Sequence, residues 1–328
     1  MTSSRTTRRQ LAAFALAAFA PLAALAQATP FPAKPIKLVV PTGAGGGTDL
    51  VSRAFAQEMQ AILGQAVVIE NKPGAGGVIG SSAVKSATPD GYTLLVGNIG
   101  THNTNRYLFA SLPYDPDRDF APVSMFGKVV NIVVVPRDLP VRTLPELVAY
   151  AKKKPGALNF AVGQIGSSSH LATETFRQQA GIDIVRVNYR GSNEAQLDVL
   201  TGRVQISFAP IVGLMGDIAS GRLKALAQTS SRRLSILPDV PTVAESGYPG
   251  FEATGWFGLF APAKTLAAIV EKLSAAARQA GERLNARHMF ADQGVEIVTG
   301  NPAEFARFIE QDRAKWAPVI RAAGIKPE

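Results

Sequence analysis

The chain has 328 residues, 46% of them hydrophobic and 18% charged, enough to bury the core of one large domain or of two ordinary ones. It has no cysteine, which excludes disulfides, thiol catalysis and thiolate metal sites. The formal net charge of +9 is dispersed, three units of it on Arg5, Arg8 and Arg9, and no aromatic residues interleave the basic ones, so no nucleic-acid surface is expected.

Those three arginines precede an uncharged run from Gln10 to Pro32 that contains Ala24-Leu25-Ala26, a small-x-small cleavage site. The pattern is that of a secretory signal peptide over 1–26, with Gln27 as the first mature residue. The run is rich in alanine and carries Pro21, which makes it a poor permanent span. Thr7-Arg8-Arg9-Gln10-Leu11 also resembles a twin-arginine export signal, so the export route stays open.

Ile36 to Val40 is an apolar run suited to a buried strand, after which Val51, Phe55, Met59, Ile62 and Leu63 recur at helical spacing up to Gly64. Ala66 to Glu70 reads as a strand, Asn71-Lys72-Pro73-Gly74 as a turn, Gly77 to Ala87 as a small-residue helix, and Tyr92 to Val96 as a third strand. Beyond a polar loop at Asp115 to Asp119, Val129 to Val135 is strongly strand-like. Thr143-Leu144-Pro145-Glu146 is a capping box that opens a helix ending near Pro155. Strands at Leu158 to Val162 and Ile184 to Asn188 flank a helix at Ser169 to Ala180, and Glu194 to Leu200, Val204 to Phe208 and Leu223 to Ala227 continue the alternation. A proline-rich connection reaches Gly250, followed by a strand at Trp256 to Phe260 and helices from Thr265 to Arg287 and from Pro302 to Ala323, the last opened by Asn301 and Glu304. Such alternation predicts parallel pairing through right-handed crossovers. It fits two α/β lobes, the second interrupting the first between about Phe126 and Phe251, and equally one large doubly wound domain.

Two loops stand between a strand and a helix start: Thr42-Gly43-Ala44-Gly45-Gly46-Gly47-Thr48 and Gly163-Gln164-Ile165-Gly166-Ser167-Ser168-Ser169. Without Cβ atoms the main-chain N–H groups can approach a ligand, and the helix N-terminus behind them favours an anion. Neither loop has the Gly-Lys-Ser/Thr of a phosphate loop, and the dinucleotide pattern begun at Gly43 and Gly45 breaks at Thr48. Ser167 to Ser169 precede His170, but glycine is absent where a nucleophile elbow needs it, and neighbours on a helix do not face each other. With only three histidines, and His170 and Glu174 the one pair at ligand spacing, no metal is expected. Asp49 reads as a first-turn helix charge more readily than as a general base.

The blocks "KPIKLVVPTGAGGGTDLVSR", "VVIENKPGAGGVIGSSAVKSATPDGYTLLVGN", "LPYDPDRDFAPV", "NYRGSNEAQLDVLTGRVQISF" and "LPDVPTVAESGYPGFEATGWFGLFAPA" together resemble the periplasmic substrate-binding proteins of tripartite tricarboxylate transporters, the Bug receptors, over essentially the entire mature chain. The resemblance implies an α/β, two-lobed periplasmic binding protein of type II, each lobe a mostly parallel sheet flanked by helices, with a ligand cleft between lobes. Lobe 1 would comprise 27–127 and 251–328, and lobe 2 128–250. It further implies a monomeric periplasmic receptor, not an enzyme, that closes on a small organic acid and delivers it to the transporter's membrane subunits without any cofactor. Carried over by position, the ligand-binding residues are Thr42, Gly43, Ala44, Gly45, Gly46, Gly47, Asn98, Thr101 and His102 on lobe 1, and Gly163, Gln164, Ser167, Ser168, Ser169, His170, Asn188, Tyr189 and Pro210 on lobe 2. Thr42 departs from the bulky aromatic that the family usually carries there, and Arg190 stands where a lysine is usual; it is expected to point outward. The competing readings are a secreted hydrolase using Ser168 with His170, and a ligand sensor for a signalling partner.

Overall fold

The computed structural model describes residues 30–322, so the leader read at 1–26 lies outside the described residues. The first sheet begins with β1 (Ile36–Val40), α1 (Gly47–Leu63), β2 (Val67–Asn71), α2 (Val78–Lys85), β3 (Thr93–Asn98), α3 (Asn105–Leu108) and β4 (Phe120–Val129). The chain then builds a second sheet from β5 (Asn131–Pro136), α4 (Leu144–Lys153), β6 (Asn159–Val162), α5 (Ser168–Ala180), β7 (Val185–Asn188), α6 (Ser192–Leu200), β8 (Ile206–Pro210), α7 (Met215–Ala219) and β9 (Leu223–Gln228). It returns to the first through β10 (Gly255–Pro262), α8 (Ala267–Ala286), β11 (Val295–Glu296) and α9 (Pro302–Ala322).

Local sequence explains most of the boundaries. Gly64 ends α1 in the left-handed conformation (φ 69°), its N–H donating to Gln60 O at 3.0 Å. Thr143 caps α4 by accepting from Glu146 N–H at 3.3 Å. Asn301 and Glu304 cap α9 reciprocally, each side chain accepting from the other's N–H at 2.9 Å.

The strand order is β11-β4-β10-β3-β1-β2 in one sheet and β7-β6-β8-β5-β9 in the other. β1 pairs in parallel with β2 and β3, and β6 with β7 and β8, as the alternation predicts. The sheets are nevertheless mixed rather than mostly parallel. β10 enters the first sheet antiparallel to β3 and β4, and β5 enters the second antiparallel to β8 and β9. These are the strands that begin where the chain changes sheet, and they arrive without a helical crossover. The strand-like run Val129 to Val135 is divided: Val129 closes β4, Val130 crosses, and Asn131 opens β5.

Aromatic packing seats helices on the first sheet, and Phe120 of β4 meets Phe260 of the returning β10 at 6.5 Å. Phe55 of α1 stacks on Phe126 of β4 with centroids 3.9 Å apart, and Trp256 and Phe260 of β10 lie against Phe305 of α9 at 5.7 and 5.0 Å. Gly258 lies flat beneath α9, where a Cβ would collide with the Phe305 ring and approach Ser124 O. Gly258→Ala should therefore cost about 1–3 kcal/mol by overpacking. Urea unfolding with an unchanged midpoint would show that α9 rides free of β10.

Candidate functional site

A cavity of about 40 Å³ lies beyond the C-terminal ends of β1, β3 and β6, the position at which open α/β sheets take ligands. Thr42, Gly43, Gly46, Gly47 and Thr48 line it from the turn into α1, and Asn98 and Ile99 from the end of β3. Across the cleft stand Gly163, Gln164, Ser167, Ser168 and Ser169 before and at the start of α5, Ser192 at the start of α6, and Pro210 at the end of β8. Val129, Gly255, Trp256 and Phe257 of β4 and β10 complete the wall. Among the described residues, none that lines the cavity carries a formal charge.

The first loop holds its shape through side chains outside the cavity. Asn71, at the end of β2, donates to Thr42 O at 3.1 Å and to Asp49 Oδ1 at 2.8 Å. Asp49 Oδ2 accepts from Gly45 N–H at 2.9 Å and from Arg53 at 2.8 Å. Burial would raise the Asp49 pKa, but the hydrogen bonds from Arg53, Gly45 and Asn71 outweigh it and hold the carboxyl below the usual range. Asp49 is thus a brace for the loop, consistent with its reading as a first-turn charge.

The glycines meet the opposite lobe as well as the cavity. A Cβ on Gly43 would stand 3.5 Å from Arg190 O, and one on Gly191 3.2 Å from Gly43 Cα. Gly47 faces Val212 and Pro210, whereas Gly46 has its nearest neighbour, Ser192 Cβ, at 3.7 Å and an unstrained φ of −78°. Cross-cleft hydrogen bonds run from Asn98 Nδ2 to Gln164 Oε1 (3.0 Å), from Gln164 Nε2 to Gly76 O (2.9 Å) and from Thr104 Oγ1 to Gly166 O (2.6 Å). These bonds hold the two sides of the cleft together around the cavity.

What remains unused in the lining is mostly donors. Asn98 Oδ1 accepts from Thr101 N–H (3.1 Å) and Gln164 Oε1 accepts from Asn98, so each amide keeps one N–H and no unengaged oxygen. No side chain caps the first turn of α1 or α6, and Ser167 caps α5 only at His170 N–H (3.3 Å), ahead of which stand the Ser168 and Ser169 N–H groups. The Thr42 hydroxyl is buried in the lining with no hydrogen-bond partner among the described residues. Three helix N-termini and these donors converge on a space without a cation.

Several residues expected in the cleft lie elsewhere. Ala44 and Gly45 are exposed on the outer side of their loop. Thr101 turns back to Asn98, its Oγ1 accepting from Asn98 N–H at 3.0 Å. His102 is stacked on Phe260 with centroids 3.6 Å apart, and His170 is buried with Nδ1 accepting from Gly166 N–H (3.1 Å) and Nε2 3.0 Å from Arg186 Nη1. Asn188 is exposed, and Tyr189 donates to Asp198 at 2.8 Å, burial and that carboxylate pushing its pKa up to about 12. Arg190 is exposed and contributes its backbone to the cleft. Ile99, Val129, Ser192, Gly255 and Phe257 also line the cavity and are not among the residues expected from the sequence. A Gly-Ser pair opening a helix was the available signal for Ser192; Val129 and Gly255 reach the cavity only because the chain crosses between sheets there.

The Tripartite tricarboxylate transporter family receptor profile matches residues 51–325. The protein BugT of Bordetella pertussis is 38% identical over 310 residues, covering 94% of this chain and 95% of its own. Among solved structures, R. palustris Rpa4515 with adipate superposes at a TM-score of 0.88 and 34% identity, covering 91% of this chain and 100% of that one. MatC from Rhodopseudomonas palustris with bound malate does so at 0.84 and 34%, covering 88% and 100%. The chain belongs to this receptor family.

As a member of this periplasmic family of binding proteins it has the two-lobed, mixed α/β fold, one sheet to each lobe. The hydrolase geometry meets an obstacle in the receptor's second loop: both His170 ring nitrogens are engaged away from the serines, and Ser168 Oγ accepts from Asn131 at 3.2 Å. His102 has a structural signature instead. Burial, with smaller opposing and reinforcing effects from Asp117, Arg106 and Arg313, lowers its pKa to about 3. The neutral ring belongs to the folded state, while the unfolded chain takes up a proton near 6.5. His102 stability is therefore fully present above pH 6.5 and is lost toward pH 3 at about 1.4 kcal/mol per unit. Unfolding free energies of wild type and His102→Gln should diverge in slope across that window, and parallel slopes would refute the assignment.

Proposed function

We propose that the protein is a periplasmic receptor that captures a small carboxylate by lobe closure and delivers it to the membrane subunits of a tripartite tricarboxylate transporter. The observation that carries the reading is the donor-rich, uncharged lining fed by three helix N-termini. A carboxylate offers only acceptors, and helix N-termini stabilise negative charge without a salt bridge. The adipate and malate in the two similar structures support the same ligand class.

On this reading residues 1–26 are removed near Ala26, and the mature protein acts as a monomer. Lobe 1 comprises 27–127 and 251–328 and lobe 2 128–250, each bound within four residues of Val130 and Thr254, which precede the two strands that open where the chain changes sheet and which form the hinge. Thr42, Gly46, Asn98, Gln164, Ser168, Ser169 and Ser192 contact the ligand, directly or through water. Ligand enters with the lobes apart and favours closure by its differential affinity for the closed state. No turnover follows.

The test is a thermal-shift screen of residues 27–328, unfolded and refolded to strip carried ligand, against mono-, di- and tricarboxylates and aromatic acids. A ligand at 100 times its dissociation constant should add ~2.7 kcal/mol. Gly46→Val, which puts bulk into the cavity without backbone strain, should abolish the shift. Ester turnover removed by Ser168→Ala, with no acid raising the midpoint, would overturn the proposal.

A further inference from the structure

Asn131 is fully buried where β5 begins, directly after the crossing residue Val130. Its Nδ2 donates to Ala253 O at 3.1 Å and to Ser168 Oγ at 3.2 Å. The carbonyl of Ala253 can only accept, which fixes the amide orientation: the nitrogen faces Ala253 and Ser168, and Oδ1 points away, buried without a partner among the described residues. A buried amide oxygen left unpaired is costly, so the orientation is held by what the nitrogen does.

The consequence falls on Ser168. Ser168 lines the cavity, and its Oγ rests over the bare Gly255, where a Cβ would lie 2.5 Å away. With one lone pair occupied by the Asn131 N–H, the Ser168 proton cannot point to Asn131 and is left to be donated elsewhere. We propose that Asn131 is a positioning residue that fixes Ser168 as a hydrogen-bond donor toward the ligand, and so sets a preference for a carboxylate over its neutral carboxamide. The proposal rests on the carboxylate-receptor reading and adds the residue that sets its polarity. Asn131 touches no ligand. Thr229 Oγ1 also donates to Ala253 O (2.8 Å) and accepts from the Asn131 main-chain N–H (3.1 Å), so it meets the backbone of Asn131 and not its amide, and it has no hydrogen bond to Ser168 among the described residues.

Affinities for adipate, malate, benzoate and nicotinate, each beside its carboxamide, are measured by titration calorimetry on the stripped mature protein. Ser168→Ala should weaken the bound acid about 10- to 100-fold, and Asn131→Leu about 3- to 10-fold, both lowering the acid-to-amide ratio. The double variant should bind no more than about two-fold worse than Ser168→Ala, because Asn131 acts through that hydroxyl. Gly255→Ala, which displaces Ser168 from the other side, should lower the same ratio and serves if Asn131→Leu does not fold. Thr229→Val should change acid and amide affinities by one common factor. Additive losses, or an unchanged ratio in Asn131→Leu or Gly255→Ala, would overturn the role of Asn131 while leaving the receptor intact. Wild type that binds no acid of the thermal-shift panel would overturn the receptor reading and this one together.

Discussion

The site proposed here for an anion has no cation in its lining, so it depends on main-chain donors being aimed and on neighbouring acceptors being used up. That constraint organises this structure. Thr42 O accepts from Asn71, Asn98 Oδ1 from Thr101, and Gln164 Oε1 from Asn98, so the acceptors nearest the cavity are already engaged. Asp49 would oppose an anion at the α1 N-terminus, but Arg53 pairs with it at 2.8 Å and the carboxylate points back to Gly45. Its charge is returned to the loop as a brace. The helix dipoles then act on the cavity with little to offset them.

The same constraint explains the glycines. A bare backbone at Gly43 and Gly191 lets the two lobes approach within side-chain distance of one another, which excludes water from the donors between them. Hydrogen bonds to a charged acceptor strengthen when water is excluded. The sequence alone shows that four glycines in five positions exceed the needs of a turn. It cannot show that Gly43 answers to Arg190 and Gly191 across the cleft, because that pairing exists only after both sheets have formed.

Legibility followed the range of the interaction that decides each feature. The caps Gly64, Thr143 and Asn301 lie within four residues of what they satisfy, and each was read correctly. β4 was not, since Pro122 and the acidic loop before it mask a ten-residue strand whose partners are β10 and β11. The cavity loops were located by their strand-to-helix position. Thr101, His102 and His170 enter the expected site with the family's blocks, yet a helical step of about 100° separates consecutive side chains. His170 therefore turns inward to Gly166 while Ser168 and Ser169 face the cleft, and the π-helical turn Gly100–Thr104 sends His102 beneath Phe260.

Closure itself must be nearly balanced for such a site to respond to a ligand. The cleft is held by hydrogen bonds from Asn98 to Gln164, from Gln164 to Gly76 O and from Thr104 to Gly166 O, contacts between protein groups alone. Against them stands the burial of unpaired groups, the Thr42 hydroxyl and the unused N–H donors among them, which water would satisfy in an open cleft. On the proposed reading an entering carboxylate would pair those donors, removing the term that opposes closure while leaving the cross-cleft bonds in place. Its effect on the equilibrium is limited to the difference in its affinity for the two forms. A cation in the lining would bind the anion more strongly in the open cleft as well and so would weaken that difference, which is a physical reason for recognition to rest on main chain, amides and hydroxyls.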